Sequence, residues 1–420
     1  MNEFNIIEKL KKRCAYIDRV YWIIFGLLII IALLALFSAT STLTNNSSHF
    51  APVLQQACYI LAGIVLAFVV QLLPTKFVRI CGYIFLGVAI ILIGLTFTDR
   101  FGREYNGARR WIELFGVQFQ PSELAKLTLL IVVADLLSKI KNKDDEKKYF
   151  FITLGITAVV CGLILISNLS TAILLGGVVF LLYFLARVHI KYWGTTLLIT
   201  IVMLICGYWY VETQYVIPNK RVEGVMKRAT VWAKRVDSMI AEWKAPAEDN
   251  YSMDGNNYQR TIAVVAVAHG GASPIGVGPG NSTERKFLPQ AYADYIFAII
   301  AEEWGIIGSI LLMMLYLSIL FRSVITSSKY ADFAAMLMVM GLALMLTCQA
   351  LISMMVSVGI GPVTGQPLPL ISRGGTSAMI TSIYFGIIMC VAREQSELRE
   401  RETQSIIDSQ NDAPEIKIEG

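Results

Sequence analysis

The sequence predicts an all-α integral membrane protein, a polytopic bundle of about ten transmembrane helices with one large extracytoplasmic loop. Three observations predict it. Of 420 residues, 55% are hydrophobic and only 16% are charged, with a mean hydropathy of +0.60; that is too little charge to cover a globular surface of this size. Apolar runs long enough to cross a bilayer recur along the whole chain. The runs lack the strand-type alternation of a barrel, so helices are the spanning elements.

By a criterion of ~20 apolar residues the spans fall near 20–41, 52–73, 78–97, 121–139, 149–167, 171–187, 192–213, 294–321, 331–357 and 375–392. Only Ser167-Asn168-Leu169-Ser170 separates the fifth from the sixth. Residues 1–19 are charged and the run after them has spanning length, so a short N-terminal segment and no cleavable leader is expected. Residues 214–293 form the large loop, and 393–420, rich in Glu, Arg, Ser and Asp, read as a disordered tail. The seven cysteines lie mostly within apolar runs and none is at metal-ligand spacing, so they read as small hydrophobes.

Lys and Arg in the short loops set the orientation. Lys9, Lys11, Lys12, Arg13 and Arg19 precede the first span; Lys76 and Arg79 follow the second; Lys139, Lys141, Lys143, Lys147 and Lys148 follow the fourth. Arg187 and Lys191 follow the sixth, and Arg322 and Lys329 the eighth. All share one side if both termini are cytoplasmic. Two outward segments break the pattern. Residues 99–120 hold Arg100, Arg103, Arg109 and Arg110, which suit an anionic ligand such as a phosphate or else a loop internally paired with Asp99, Glu104 and Glu113. In the large loop, Val222, Met226, Ala229, Trp232, Val236, Met239, Ile240 and Trp243 recur at helical spacing among Lys and Arg, as in a basic amphipathic helix at the membrane interface.

Four constellations could carry chemistry. Asp294 sits where a polar segment, 286–294, runs into the eighth span; it is either a helix cap or a functional acid at the water–lipid boundary. Glu302 and Glu303 follow inside the apolar run, where acids are expensive. Gln120-Pro121-Ser122-Glu123-Leu124-Ala125-Lys126 opens the fourth span, and Glu123 and Lys126, three apart, share a face. They form either an internal pair that holds the bundle or one that lines a cavity opening outward. The run Gly271–Gly280 is no nucleotide loop, lacking a following Gly-Lys-Ser/Thr, and reads as a tight turn whose amides approach a ligand or another helix. No Walker motif points to ATP. The segment 361–377 is broken by Gly and Pro and adds Arg373, in a stretch tolerated near a membrane where it is buried or lines a cavity. His49, His189 and His269 show no ligand spacing and read as loop or interface residues. Collected by topology, Arg109, Arg110, Glu123, Lys126, Arg373 and Asp294 face one outer vestibule, which suits a phosphate-bearing lipid: a carboxylate as general base and cations for a departing pyrophosphate.

Four stretches, G-A-R-R-W-I-E-L (107–114), F-Q-P-S-E-L-A-K-L (119–127), L-P-Q-A-Y-A-D-Y-I-F-A-I-I-A-E-E-W-G (288–305) and P-L-P-L-I-S-R-G-G-T-S (367–377), closely resemble the shape, elongation, division and sporulation (SEDS) family, ten-span peptidoglycan polymerases of the RodA and FtsW type. F-S-A-T-S-T-L (37–43) and I-S-R-G-G-T-S (371–377) are more similar to the division branch than to the elongation branch. The resemblance implies glycosyl transfer from lipid II, the undecaprenyl-pyrophosphate-linked disaccharide-pentapeptide, on the outer face of the bacterial cytoplasmic membrane at the division septum. It implies Asp294 as the catalytic aspartate, with Arg110, Glu123, Lys126, Tyr258, Gln259, Gly276, Gly278 and Gly280 at family motif positions. Arg109, Ser372, Arg373 and Gly374 join these as candidates for holding substrate. A divalent cation (Mg or Mn) with unassigned ligands, a class B penicillin-binding protein transpeptidase, other division-site membrane proteins and membrane lipid are the implied cofactor and partners; no nucleic acid is. The chain departs from the pattern in three places. Tyr292-Ala293-Asp294 stands where His-Thr-Asp is usual, Asn168-Leu169-Ser170-Thr171 replaces Pro-Asp-Leu-Gly-Thr, and Ser353 stands where Asn often does.

Two other readings stay open. A lipid II transporter would need charged residues continuing through the bundle to the cytoplasmic face. A scaffold for the division site would need no catalytic acid.

Overall fold

The computed structural model describes residues 13, 15–40, 51–98, 101–105, 108–114, 117–215, 258–288, 292–328, 332–361 and 364–411. The amphipathic stretch expected at 222–243 and the tip of the large loop lie outside the described residues.

Ten helices match the ten expected spans: α1 (Arg19–Thr40), α2 (Ala51–Leu72), α3 (Thr75–Thr96), α4 (Pro121–Leu137), α5 (Lys143–Ser167), α6 (Leu169–Leu185), α7 (Ile190–Tyr215), then α9 (Ile296–Ser327), α10 (Phe333–Ser357) and α11 (Gly375–Asn411). Among the described residues, eight helices are long and apolar enough to cross a membrane; α4 and α6 have 17 residues each. The chain is a multi-pass membrane protein. A helix suits each span because its backbone groups bond within it, and local chemistry sets the ends. Pro74 separates α2 from α3, Pro121 opens α4, Asn168 caps α6 through its side-chain oxygen, and Asp332 caps α10 in the same way. The fifteenth-to-twentieth-residue polar entry is likewise held, Asp18 accepting from the Val20 amide at 3.0 Å.

The centre of the bundle is formed by α4 and α10, both buried along most of their length. Around them α3 packs on α4, α9 on α10 and α11 along α2. Gly386 on α11 lets the backbone of α2 come close: a Cβ there would lie 2.8 Å from the Ala67 carbonyl oxygen, the small-residue contact typical of helices in lipid. At one end of the bundle charges form a capping network. Arg79 reaches Asp332 (3.1 Å) and Asp135 (3.6 Å), Lys139 pairs with Asp135 (2.9 Å) and Arg322 with Asp18 (2.7 Å). The hydrogen bond to Asp135 holds the Lys139 ammonium above its ordinary range. There too Arg13 and the buried Arg393 donate to the carbonyls of Leu72 and Leu73, satisfying the C-terminus of α2.

The opposite end differs from the sequence expectation in one place. The arginine-bearing segment read as a loop is a three-stranded antiparallel sheet in the order β1 (Gly102–Tyr105), β2 (Ala108–Leu114), β3 (Val117–Phe119). The large loop returns through a short helix, α8 (Tyr258–Gly271), which packs on α9. Beyond Ala392, where the composition reads as a disordered tail, α11 continues unbroken to Asn411.

The glycine-rich run has a definite partner. Helix α9 breaks at Gly305 (φ 64°, ψ −159°), a region of backbone space open to glycine alone. The 272–280 loop docks against the break: the amides of Val277 and Gly278 donate to the carbonyls of Glu302 and Glu303 (both 3.0 Å), and Ile307 N donates to Pro274 O (3.1 Å). A Cβ on Gly305 would lie 2.4 Å from Gly276 N, and one on Gly276 (φ 70°) 2.5 Å from Glu302 O. Replacing Gly305 with Ala is therefore expected to lower stability by on the order of 3 kcal/mol, read as an earlier thermal unfolding of the detergent-solubilised protein. An unshifted melting curve would contradict this account of the loop.

Candidate functional site

At the sheet-bearing end the structure forms a polar cavity of about 290 Å³. Its walls come from six parts of the chain. Strand β2 contributes Arg110 and Trp111, and the start of α4 contributes Gln120 and Glu123. The start of α6 gives Asn168 and Thr171, and α8 gives Gln259. Ala293 and Asp294 come from the turn before α9; the segment 364–374 and the first turn of α11 close the remainder.

Each part is fixed by hydrogen bonds. Arg110 Nε donates to the Ser167 carbonyl at 2.9 Å, anchoring the sheet at the α5–α6 junction. Thr376 Oγ1 donates to Gln118 O at 3.0 Å, joining β3 to α11. The Asp294 turn and the broken segment are clasped together. The Ser372 hydroxyl donates to Ala293 O and accepts from Leu368 N, while Arg373 N donates to Tyr292 O at 2.9 Å. The Arg373 guanidinium lies over the Tyr292 ring, 5.3 Å from its centre, a cation–π contact. Gly365 (φ 59°) lies beside the acid, since a Cβ on it would be 3.6 Å from Asp294 Oδ2. Gln366 Nε2 donates to Thr171 Oγ1 at 2.7 Å, fastening the segment to α6.

Four helices begin at this cavity: α4 at Gln120, α6 at Asn168, α9 just after Asp294 and α11 just after Gly374. Each N-terminus carries the equivalent of about half a positive charge. With Arg110 and Arg373 also lining it, the cavity is built for an anion. Asn168 belongs to this pattern, since a neutral cap leaves the end of α6 uncompensated where an Asp would have offset it.

The pair read from spacing forms, with Lys126 Nζ 2.8 Å from Glu123 Oε1. Both sequence alternatives hold in part. Glu123 lines the cavity, whereas Lys126, 1% exposed, lies behind the wall and donates also to Gln349 Oε1 at 2.9 Å. Its charge is spent on the protein and does not reach the cavity. Arg109 lies in β2 opposite Glu104, and its side chain is outside the described residues. Of the other candidates, Gln259, Ser372, Arg373 and Gly374 line the cavity. Tyr258 packs with the apolar cluster around Ile262 and Tyr295 instead. Gly276, Gly278 and Gly280 belong to the loop docked on α9 and do not line it.

Glu302 and Glu303 are buried away from the cavity. Glu302 accepts from Ser282 Oγ, from Thr283 N (3.0 Å) and Thr283 Oγ1 (3.1 Å), and sits 3.1 Å from His269 Nδ1. Glu303 accepts from Ser38 Oγ and pairs with Arg285 at 3.8 Å. These acids pin the 281–286 turn to α9 and α1. His269, Glu284 and Glu302 bring ligand atoms within 4.8 Å of one another, with Glu302 Oε1 already accepting from Thr283 and its Oε2 from Ser282. Among the cavity's oxygen donors are Asp294 and Thr364, whose buried hydroxyl has no hydrogen-bond partner among the described residues; these are the kind of ligand a hard divalent cation takes. Sequence reasoning missed Thr171, Thr364, Gln366 and Gln349. Lone amides in Gln349's apolar run and in Gln366's broken segment were the available signal.

The fold and site together define a multi-pass membrane protein with an anion-accepting cavity, lined also by Asp294 and Glu123, at one end of its bundle. The chain belongs to the FtsW, RodA and SpoVE family of cell cycle proteins, whose family model matches residues 18–397. It is 28% identical over 388 residues to the probable peptidoglycan glycosyltransferase FtsW of Coxiella burnetii, covering 89% of this chain and 96% of that one. The corresponding FtsW of Nitrosomonas europaea is 29% identical over 374 residues, covering 86% and 89%. Among solved structures, a chain of a peptidoglycan synthase complex that coordinates polymerization and crosslinking superposes with a TM-score of 0.70 at 25% identity, over 90% of this chain and 98% of that one. The rod shape determining protein RodA of Thermus thermophilus superposes with a TM-score of 0.61 at 23% identity, over 90% and 97%, and shares the fold.

Proposed function

We propose that this protein is a peptidoglycan glycosyltransferase of cell division, polymerising lipid II into glycan strands on the outer face of the cytoplasmic membrane. The observation that carries the reading is the convergence on one polar cavity of Asp294, Arg110, Arg373 and four helix N-termini. Asp294 takes the proton from the acceptor sugar's 4-hydroxyl as that oxygen attacks the anomeric carbon of the donor strand. The bond from that carbon to the pyrophosphate breaks, and undecaprenyl pyrophosphate leaves with its charge held by Arg110, Arg373 and the helix ends. A divalent cation would be held by Asp294 and Thr364 and would supply further charge neutralisation. Glu123, fixed by Lys126, presents acceptor oxygens to the sugar or peptide. The opposite end, with Arg79, Lys139 and Arg322, is the cytoplasmic side by the distribution of positive charge. The likeness to FtsW relatives and to a chain of a peptidoglycan synthase complex supports a class B penicillin-binding protein as partner and the septum as the site of action.

Transport of lipid II is the weaker reading. Among the described residues the buried acids and lysine, Glu123, Lys126, Glu302 and Glu303, lie toward the cavity end, and Arg393 toward the other, with no charged path between. The test is the purified protein with lipid II and Mg²⁺, alone and with its transpeptidase. Glycan strands are expected, lost with EDTA and restored by Mg²⁺ or Mn²⁺. Movement of lipid II across vesicles without any glycan would overturn the proposal. Arg110→Ala is expected to raise KM about 10- to 100-fold with a smaller change in kcat; an unchanged KM would remove Arg110 from substrate binding.

A further inference from the structure

Behind the cavity wall, Gln349 on α10 is 5% exposed and makes two bonds with one amide. Its Oε1 accepts from Lys126 Nζ at 2.9 Å, and its Nε2 donates to the Pro367 carbonyl at 2.9 Å. The neighbours dictate that orientation, because an ammonium has no acceptor and a carbonyl no donor. The position therefore requires one acceptor and one donor at amide spacing. A carboxylate would leave Pro367 O without a partner, a cation would oppose Lys126, and an apolar side chain would strand both at a buried site. Pro367 lies in the non-helical segment whose Gly365 flanks Asp294 and whose Ser372 clasps the Asp294 turn. Lys126 in turn holds Glu123 in the opposite wall.

We infer that Gln349 is a positioning residue for glycosyl transfer: it sets the 364–372 segment against Asp294 and ties it to the Glu123–Lys126 pair. The inference rests on the reading of the cavity as the polymerising site. Gln349 touches no substrate; its effect passes through the wall. Small displacements of such a wall are enough to matter, since about 1 Å at a reacting group can cost roughly 100-fold in rate.

The experiment compares Gln349→Met, which removes both bonds, with Gln349→Asn, whose amide is too short to span both partners. Both are assayed as full-length protein with lipid II. Each is expected to lower kcat about 10- to 100-fold with KM changed less than about threefold. A second measurement reads the wall directly. In a Leu368→Cys background, where the native side chain is 1% exposed, Gln349→Met or Gln349→Asn is expected to speed maleimide labelling at least tenfold relative to Gln349 intact. Wild-type kcat in both variants, or unchanged labelling with kcat falling only as the melting temperature falls, would overturn the inference. Asp294→Asn in the same assay separates the two failures. If it polymerises normally, the reading of the site is wrong; if it is inactive while both Gln349 variants run at full rate, only the positioning role is lost.

Discussion

Asp294→Asn is expected to insert, fold and melt like the native protein yet polymerise lipid II about 100- to 10,000-fold more slowly, the usual contribution of a positioned general base. The substitution is nearly isosteric, and backbone groups of the turn that carries Asp294 are held from the 364–374 segment. Ser372 bonds Ala293 O, and Arg373 N bonds Tyr292 O. The loss would therefore fall on chemistry and leave the scaffold intact. The departure of this chain from the usual His-Thr-Asp sharpens the expectation. Tyr292 is occupied with the Arg373 guanidinium, so no neighbouring imidazole stands ready to take over proton transfer. Gel analysis of labelled glycan, with thermal unfolding of the same preparation, decides it: full polymerisation by a folded Asp294→Asn protein would remove the base from the mechanism.

Lys126→Met is expected to be the most destabilising of the substitutions near the cavity. Lys126 is 1% exposed and Glu123 8%, with 2.8 Å between the charged atoms. Removing the ammonium leaves a carboxylate with no compensating charge in a poorly solvated wall, a cost of about 3–5 kcal/mol. It also strips Gln349 of its donor. Neutralising both partners in Lys126→Met with Glu123→Gln is expected to recover much of that stability, because no uncompensated charge remains, while activity stays low. Melting temperatures of the two single variants and the double variant test this. A strictly additive loss would show that the pair is not coupled.

Much of the architecture was legible in the sequence because lipid imposes a rule that composition reveals. Every span must be apolar for about 20 residues, and the helices found follow those runs closely. The sheet was not legible, since A-R-R-W-I-E-L lacks clean alternation and three short strands resemble a charged loop. The Glu123–Lys126 pair could be read from helical spacing, but which partner faces the cavity depends on how α4 meets α10. The acids at 302 and 303 look functional by the same expense argument that flags Asp294. What separates them is a turn 20 residues upstream that supplies Ser282 and Thr283 as donors, which no local pattern predicts. In the same way, the glycine run declares a tight turn, while its docking on the break at Gly305 arises only in three dimensions. Four helix starts meeting at one cavity likewise belong to topology: Gln120, Asn168, Asp294 and Gly374 are far apart in the chain and each looks like an ordinary helix entry.

The most direct test of the cavity as the site of sugar joining is photo-cross-linking of Asp294→Asn protein with a lipid II analogue carrying a photoreactive group near its pyrophosphate, followed by peptide mapping. The account predicts adducts on β2 around Arg110 and on the 364–374 segment, competed away by unlabelled lipid II. Adducts confined to the charged end around Asp135 and Asp332, or to the lipid-facing surface of α7, would contradict it.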